Sequence, residues 1–410
     1  MSENKTITPV LLGADLNCYN VAKAFHIKYG VKSYAFGRYA VSATKYSRFI
    51  NFKSIPDIDN EKVMLDTLHS FADYHLGDKL VLFGCTDDYV AMIIRNKEML
   101  SDYIIPYPSV EMLETISKKA DFYDFCDKHD IPYPKTVVTS KKISKDDLTP
   151  EKLGFKYPII IKPSSSVIYW KHSFDGMKKV YTSSSPAESE SIINRIYDSG
   201  YDDKIIIQEM IDGGDSQMRV LTTFSDSKGK VRAMCLGHTL LEEHTPKGLG
   251  NHAAIITEPI SSLPIASKIK KMLEDVHYTG FGNFDIKLRE GTEDDFNVFE
   301  INLRQGRSNY YLTSAGINVA ELATEVFNSD GNDCLMNENV VFWHHIPKNV
   351  VYKYTEDKKL VEKAKQLTKE GKEYSSIWYP YDMLNPLRFV CVTEQLRRQE
   401  KKYRIYYPHK

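Results

Sequence analysis

The chain has 410 residues, which corresponds to two to four domains at roughly 100–200 residues per domain. Hydrophobic residues make up 42% and charged residues 27%, as in ordinary globular proteins, and the 21 glycines and 17 prolines exclude collagen-like and Pro/Gly-rich disordered classes. The 54 basic and 55 acidic residues leave a net charge of -1, whereas proteins that bind bulk nucleic acid usually carry a basic excess, so no nucleic-acid partner is expected.

The first elements predict a parallel sheet. Residues 9–15 are typical of a short buried strand ending in a turn, residues 17–29 have helical spacing and stop at Gly30, and residues 31–36 form a second strand. This order begins a Rossmann-like domain. The turn at 13–17 lacks the GxGxxG spacing of dinucleotide sites, which argues against a nicotinamide or flavin oxidoreductase.

The rest of the chain predicts a mixed α+β region. A helix is expected over residues 117–129 and another from residue 320. Gly213 and Gly214 suit a hinge between two lobes. The predicted strands cover residues 79–83, 158–163, 204–210, 217–224, 231–237, 281–288 and 296–302.

Two alternating strands near residue 290 carry a candidate metal site. A polar turn separates them, which is typical of a hairpin, and a symmetric turn would set Asp285 opposite Glu300. Opposed like charges destabilise a sheet, so a positive group is expected between them. Glu300 and Asn302 share a strand face, and their oxygen atoms suit Mg²⁺. The alternative is a hairpin whose polar face is only solvated.

A lysine at the end of an isoleucine strand is a candidate phosphate ligand. Lys162 follows three isoleucines and precedes Ser164, Ser165 and Ser166, whose backbone N–H groups could face a phosphate. The alternative is that its long side chain only extends to solvent.

Taken in order, these pieces resemble the ATP-grasp superfamily over about residues 118–325. The resemblance implies an α/β and α+β fold, with a Rossmann-like N-terminal domain at 1–117, an ATP-grasp domain at 118–330 with a lid at about 135–208, and a C-terminal region at 331–410 completing the core. The features that carry it are Lys119 with Phe122, Ile131-Pro-Tyr-Pro134, Ile161-Lys162-Pro163, Gln208-Glu209-Met-Ile211, Phe284-Asp285 and Phe299-Glu300-Ile-Asn302-Leu-Arg304.

The resemblance implies ATP-dependent joining of a carboxylate to an amine through an acyl phosphate, with ATP and two Mg²⁺ ions. Arg304 would stabilise charge on the phosphate. The other implied roles are Lys119 and Lys162 for the ATP phosphates, Gln208, Glu209 and Ile211 for adenine, Asp215 for ribose, Asp285, Glu300 and Asn302 for Mg²⁺, and Arg307, Ser308 and Asn309 for the acyl substrate.

Within the superfamily, residues 162–181 and 208–220 look like those of bacterial D-aspartate ligases of peptidoglycan synthesis. That resemblance implies D-aspartate as donor and a nucleotide-linked muramoyl peptide as acceptor. An acidic donor calls for cationic anchors, and the candidates are Arg219, Arg307 and Lys247. A ligase for another amino acid or peptide, or a nonenzymatic nucleotide-binding regulator, remains open, as does the oligomeric state.

Residues 238–252 hold three histidines and two glutamates. Their spacing fits no standard zinc motif, so a mobile loop over the active site is expected, with Lys247 or His252 near substrate and Gly248 and Gly250 giving flexibility. A plain surface loop is the alternative.

The chain is expected to act in the cytoplasm without a membrane span. No segment has 18 consecutive apolar residues, the N-terminus lacks the zones of a signal peptide, and the six cysteines are scattered singly, as free thiols in a reducing compartment would be.

Overall fold

The computed structural model describes residues 5–116, 119–246 and 248–407, without the side chains of residues 166 and 167. The chain folds into two compact units. The first contains Met1–Val110, Gly214–Asp285 and Ile301–Lys410, and the second contains Glu111–Gly213 and Ile286–Glu300. One boundary between them falls between Gly213 and Gly214, the two glycines that suited a hinge.

The N-terminal part of the first unit is a parallel sheet in the order β3-β2-β1-β4-β5. The Rossmann-like prediction is confirmed. Asp15 caps the first helix by accepting a hydrogen bond from the Cys18 backbone, and Gly30 ends that helix with a φ of 69°. The elements are β1 (Ile7–Leu12), α1 (Leu16–Tyr29), β2 (Ser33–Gly37), β3 (Ile50–Ser54), α2 (Glu61–Tyr74), β4 (Lys79–Gly84), α3 (Asp87–Arg95), β5 (Tyr103–Ile104) and α4 (Val110–Ile116).

The second unit is built on an antiparallel sheet in the order β6-β9-β7-β8. Its buried isoleucines on β7 and β9 pack with those of α8. Residues 117 and 118 of the predicted helix lie outside the described residues. The elements are α5 (Lys119–Lys128), β6 (Thr136–Thr139), α6 (Pro150–Leu153), β7 (Ile159–Pro163), α7 (Ser166–Tyr169), β8 (Tyr181–Ser183), α8 (Pro186–Asp198) and β9 (Ile205–Glu209).

The remaining strands form a sheet in the order β14-β13-β10-β11-β12-β16-β17, with β15 paired to β11. The elements are β10 (Met218–Ser225), β11 (Val231–Glu242), β12 (His252–Glu258), α9 (Pro264–Asp275), β13 (Gly280–Leu288), β14 (Phe296–Asn302), α10 (Tyr310–Ser314), α11 (Val319–Glu321), β15 (Leu335–Met336), β16 (Phe342–His344), α12 (Lys348–Tyr354), α13 (Lys358–Lys369), β17 (Glu373–Ser375), α14 (Pro380–Met383) and α15 (Pro386–Tyr406).

The predicted loop over residues 238–252 is wrong at its two ends. Residues 238–242 continue β11 and residue 252 begins β12, so the two strands form a hairpin in which Glu242 pairs with His252. The polar side chains that suggested a loop are buried in ion pairs instead: His238 contacts Glu258, and Glu243 contacts Arg307. The described residues between the strands, 243–246 and 248–251, form an irregular connection as predicted.

A buried ion pair at the start of the C-terminal helix contacts the segment between β2 and β3. Arg388 donates from Nε to Asp382 at 2.8 Å, and both side chains are fully buried. Arg388 also donates to the backbone oxygen of Ser42 at 2.7 Å, and Asp382 accepts from the Arg48 backbone at 2.7 Å. Across the described ranges, no helix is both long and apolar enough to cross a membrane.

Candidate active site

Lys162 is a buried amine in the second unit that donates to two neutral side chains. It lies near the end of β7, and its Nζ donates to Tyr123 Oη and to Gln208 Oε1, each at 3.0 Å. Burial lowers the pKa of Lys162 well below its ordinary value, and the positive charges of Lys119 and Lys179 lower it further. A phosphate placed at this amine would compensate its lost hydration.

Lys119 supplies a positive charge beside Glu300. Their side chains form an ion pair within the second unit. The strand that carries Glu300 is held by backbone contacts: Tyr123 Oη donates to the Phe299 oxygen at 3.1 Å, and the Val298 nitrogen donates to the Pro132 oxygen at 2.8 Å. Helix α5 therefore places a cation next to Glu300.

The three residues proposed for adenine lie at and beyond the end of β9. Gln208 is buried and its amide donates to Thr136 Oγ1 at 2.7 Å. Glu209 Oε1 accepts from the Lys135 backbone at 2.9 Å and from Arg289 at 3.1 Å. The Ile211 oxygen accepts from Lys287 at 2.8 Å. These contacts hold the segment in place.

Two of the candidate metal ligands, Asp285 and Asn302, lie in the first unit and carry oxygen atoms suited to a hard cation. His252 Nε2 lies 3.6 Å from Asp285 Oδ1. Burial acts to lower the pKa of His252, but the carboxylates of Asp285 and Glu242 outweigh it and raise this pKa. The side-chain nitrogen of Asn302 lies 3.5 Å from the backbone oxygen of Asn283. The side-chain oxygen of Asn302 therefore points away from Asn283. A carboxylate oxygen and an amide oxygen are donor types that Mg²⁺ accepts.

Arg304 is held by a carboxylate at the start of α3. Its Nε donates to Asp87 Oδ1 at 2.6 Å and its Nη2 to Oδ2 at 3.3 Å, a forked contact within the first unit. Burial alone would lower the pKa of Arg304, but the charge of Asp87 raises it. The guanidinium is therefore cationic and fixed in direction.

The segment after Arg304 is anchored through its backbone and through Asn309. The fully buried Asn309 amide donates to Asn17 Oδ1 at 2.8 Å, and Asn20 donates to the Arg307 oxygen at 3.0 Å. Ser308 is also buried. The Arg307 side chain keeps 30% of its exposure and donates to Glu243 at 2.9 Å. Arg307 thus presents a cation from a rigid backbone.

Asp215 lies in a short turn before β10, in the first unit. Its Oδ2 accepts from the Glu242 backbone at 2.9 Å and lies 2.9 Å from His244 Nε2. Both contacts use the same oxygen. Lys247 lies outside the described residues.

Arg219 is paired inside the first unit. Its Nε donates to Glu258 Oε2 at 2.9 Å, and His238 Nδ1 lies 2.7 Å from the other oxygen of that carboxylate. Burial alone would raise the pKa of Glu258, but His238 and Arg219 lower it to about 2. The stability that this pair contributes is therefore present above the ordinary carboxyl pKa and is lost as pH falls toward 2.

Replacing Arg219 by Ala is expected to lower the free energy of unfolding by about 3 kcal/mol, because it leaves the Glu258 charge without its guanidinium partner. Urea unfolding at neutral pH measures this. The control is Arg398→Ala, which breaks an exposed pair with Glu394 on α15 and is expected to cost less than about 1 kcal/mol. An Arg219→Ala protein as stable as the wild type, with a raised KM for the carboxylate donor, would contradict the structural role.

Several residues of this region were missed by sequence reasoning. Tyr123 follows Lys119 by one helical turn, so spacing on α5 could have placed both on one face. Asp87 follows β4 at the carboxyl edge of the parallel sheet, where ligands often bind. Glu243 and His345, which contact each other, lie far apart in the chain and leave no local signal.

No protein-family model matches the chain. The D-aspartate ligase of Enterococcus faecium (strain Aus0004) is 36% identical over 393 residues, covering 93% of this chain and 92% of that protein. The chain belongs to the D-aspartate ligase family. It is an ATP-dependent carboxylate–amine ligase that forms a carbon–nitrogen bond, and this confirms the resemblance seen in the sequence and favours an enzyme over a nonenzymatic regulator or an oxidoreductase.

Solved structures of low sequence identity share its ATP-grasp fold. An N5-carboxyaminoimidazole synthetase from Staphylococcus aureus, complexed with ADP, matches with a TM-score of 0.57 and 15% identity over 83% of each chain. The L-amino acid ligase from Bacillus licheniformis matches with a TM-score of 0.53 and 14% identity over 78% of this chain and 73% of that one. The biotin carboxylase domain of a Hydrogenobacter thermophilus carboxylase, in complex with MgADP and bicarbonate, has a TM-score of 0.60 and 11% identity over 83% of this chain and 74% of that one. The predicted fold class is confirmed.

Proposed function

We propose that this ligase joins the β-carboxylate of D-aspartate to the lysine ε-amine of a nucleotide-linked muramoyl peptide, a peptidoglycan precursor, in the cytoplasm. The observation that carries the proposal is the 36% identity to a D-aspartate ligase over nearly the whole of both chains. The carboxylate attacks the γ-phosphorus of ATP, ADP leaves, and an acyl phosphate forms. The amine then attacks the acyl carbon, phosphate leaves, and the nitrogen loses a proton.

Charge neutralisation and positioning supply most of the catalysis in such a transfer. We assign Lys119 and Lys162 to the ATP phosphates, and the desolvated amine of Lys162 supports this because an anion would restore its charged form. Gln208, Glu209 and Ile211 are assigned to adenine. Asp215 is assigned to ribose through Oδ1, since both contacts described above use Oδ2.

We assign Asp285, Glu300 and Asn302 to two Mg²⁺ ions, on the basis of their donor chemistry and their place on the β13–β14 hairpin. When bound, Mg²⁺ would neutralise charge on the ATP phosphates. Each of the two carboxylates has a basic neighbour: Lys119 contacts Glu300, and His252 lies near Asp285.

Arg304 is assigned to the charge that develops on the transferred phosphoryl group, and its fork to Asp87 supports a fixed direction. Arg307, with Ser308 and Asn309, is assigned to the donor. Lys247 is proposed as a further cation near the substrate. Arg219 is proposed to affect substrate binding only indirectly. Its buried ion pair with Glu258 joins β10 to β12.

Phosphate release from ATP tests the donor and the acceptor. We expect release only when D-aspartate and a muramoyl-peptide acceptor with a lysine are both present. Each substrate omitted in turn serves as the control, and L-aspartate tests stereochemistry. Release with L-amino acids alone would overturn the assignment of D-aspartate, and release with D-aspartate but with other amines only would overturn the acceptor.

A further inference from the structure

The guanidinium of Arg307 is held by a buried carboxylate from the end of β11. Arg307 Nη1 donates to Glu243 Oε1 at 2.9 Å, and His345 Nε2 lies 3.2 Å from the same oxygen. The three residues come from separate segments of the first unit. One edge of the guanidinium is therefore occupied, and its remaining N–H groups are set in a known direction.

The Glu243 side chain is ionised although it is 94% inaccessible. Burial alone would raise the pKa of Glu243, but His345 and Arg307 lower it to about 2. Burial lowers the pKa of His345, which favours the neutral ring. A charged carboxylate that contacts a guanidinium makes a stronger and more directional hydrogen bond than a neutral pair.

The second oxygen of Glu243 is covered by the turn that follows β11. The Glu243 nitrogen donates to the Asn251 oxygen at 2.8 Å, and the Gly248 nitrogen donates to the Thr245 oxygen at 2.9 Å. A Cβ atom at Gly248 would lie 2.3 Å from Glu243 Oε2. The glycine at this position therefore lets the turn pack directly on the carboxylate, and any side chain there would displace Glu243.

The backbone of Arg307 does not depend on Glu243. The Arg307 oxygen accepts from Asn20 on α1, and Asn309 contacts Asn17 on the same helix. Loss of the Glu243 charge should therefore release the guanidinium while the segment that carries it stays in place.

We propose that Glu243 is a positioning residue for donor binding: it aims the free edge of the Arg307 guanidinium at a carboxylate of the acidic donor, and Gly248 fixes Glu243. This inference rests on the proposed function, in which Arg307 binds the donor. A planar guanidinium matches a carboxylate through two parallel N–H contacts, so its direction decides affinity for an acidic amino acid.

The test is steady-state kinetics of the full chain with D-aspartate, ATP and the acceptor each varied. Glu243→Gln keeps the shape and removes the charge, and we expect the KM for D-aspartate to rise roughly 10-fold or more, because a hydrogen bond to a charged group is lost. The KM for ATP should stay within about twofold, since the Glu243 contacts described here involve none of the ATP residues proposed above. A merely structural role would instead change all three KM values and kcat together.

Gly248→Ala is the second variant, and it moves Glu243 without altering any charge. We expect the KM for D-aspartate to rise and the KM for ATP to stay unchanged. Gly250→Ala is the matched control: Gly250 has a φ of +87°, so alanine strains the same turn, but its Cβ meets no atom within 4 Å. We expect a KM for D-aspartate close to that of the wild type, with folding of every variant checked by thermal unfolding.

Arg307→Ala tests the assignment of Arg307 to the donor separately from the positioning role of Glu243. If it leaves the KM for D-aspartate unchanged, the assignment of Arg307 to the donor fails, and the inference fails with it. If Arg307→Ala raises this KM but Glu243→Gln and Gly248→Ala do not, the proposed function stands and the positioning role of Glu243 is overturned. If Glu243→Gln does not fold, Gly248→Ala against Gly250→Ala decides alone.

Discussion

Replacing Glu300 by Gln is expected to lower kcat by about 100-fold or more while the protein stays folded. Glutamine keeps the shape of the side chain but removes the charge that we assign to a magnesium ligand. The ion pair with Lys119 is also lost, but both side chains keep part of their exposure, 22% and 34%, so the cost in stability should be no more than about 1 kcal/mol.

Phosphate release at increasing Mg²⁺ concentration measures this effect. We expect the half-saturating Mg²⁺ concentration to rise together with the loss of kcat, because a ligand of lower charge binds the cation more weakly. The matched control is Glu293→Gln, on the exposed turn between β13 and β14, which should behave as the wild type. Full activity of Glu300→Gln, with an unchanged response to Mg²⁺, would remove Glu300 from the metal assignment.

Replacing Lys162 by Met is expected to separate stability from activity. An apolar side chain of similar length suits the buried position, so the protein should be at least as stable as the wild type, whereas kcat/KM for ATP should fall about 100-fold or more because a phosphate contact is lost. Replacing a lysine with a purely structural role would instead lower stability and leave kcat/KM for ATP unchanged.

The difference in stability between Lys162→Met and the wild type should depend on pH. The pKa of Lys162 in the folded protein lies below its ordinary value of 10.5. Between these two values the unfolded chain binds more protons, so the stability of the wild type rises with pH across that window. Lys162→Met removes this rise, and its stability advantage should be largest below the window and shrink as the pH approaches 10.5.

Urea unfolding at several pH values and ATP-dependent phosphate release check both parts. Lys142→Met, which removes an exposed partner of Asp198 in the same unit, is the control and should change neither quantity appreciably. A Lys162→Met protein that is several kcal/mol less stable but binds ATP normally would show that the amine has a structural role instead.

Candidate site residues could be proposed where a residue type and its immediate neighbours carry the signal. Lys162 was proposed because a lysine ends an isoleucine strand, and Asp285, Glu300 and Asn302 because their strands alternate. The two ends of the stretch at 238–252 were misread as loop because charged and histidine residues suggest solvent exposure. In the folded chain Glu258, Arg307 and Asp285 compensate those groups, and each of these partners lies outside the stretch.

The sequence by itself determined the parallel N-terminal sheet, the strands that carry the candidate ligands and the ATP-grasp resemblance, because period-2 alternation, helix caps and glycine turns are set by neighbouring residues. Only the tertiary structure decided that Met1–Val110, Gly214–Asp285 and Ile301–Lys410 form one compact unit, and that Glu243 meets both Arg307 and His345 within it. Such pairs join distant segments, and they are fixed by the need to satisfy charges that packing removes from water.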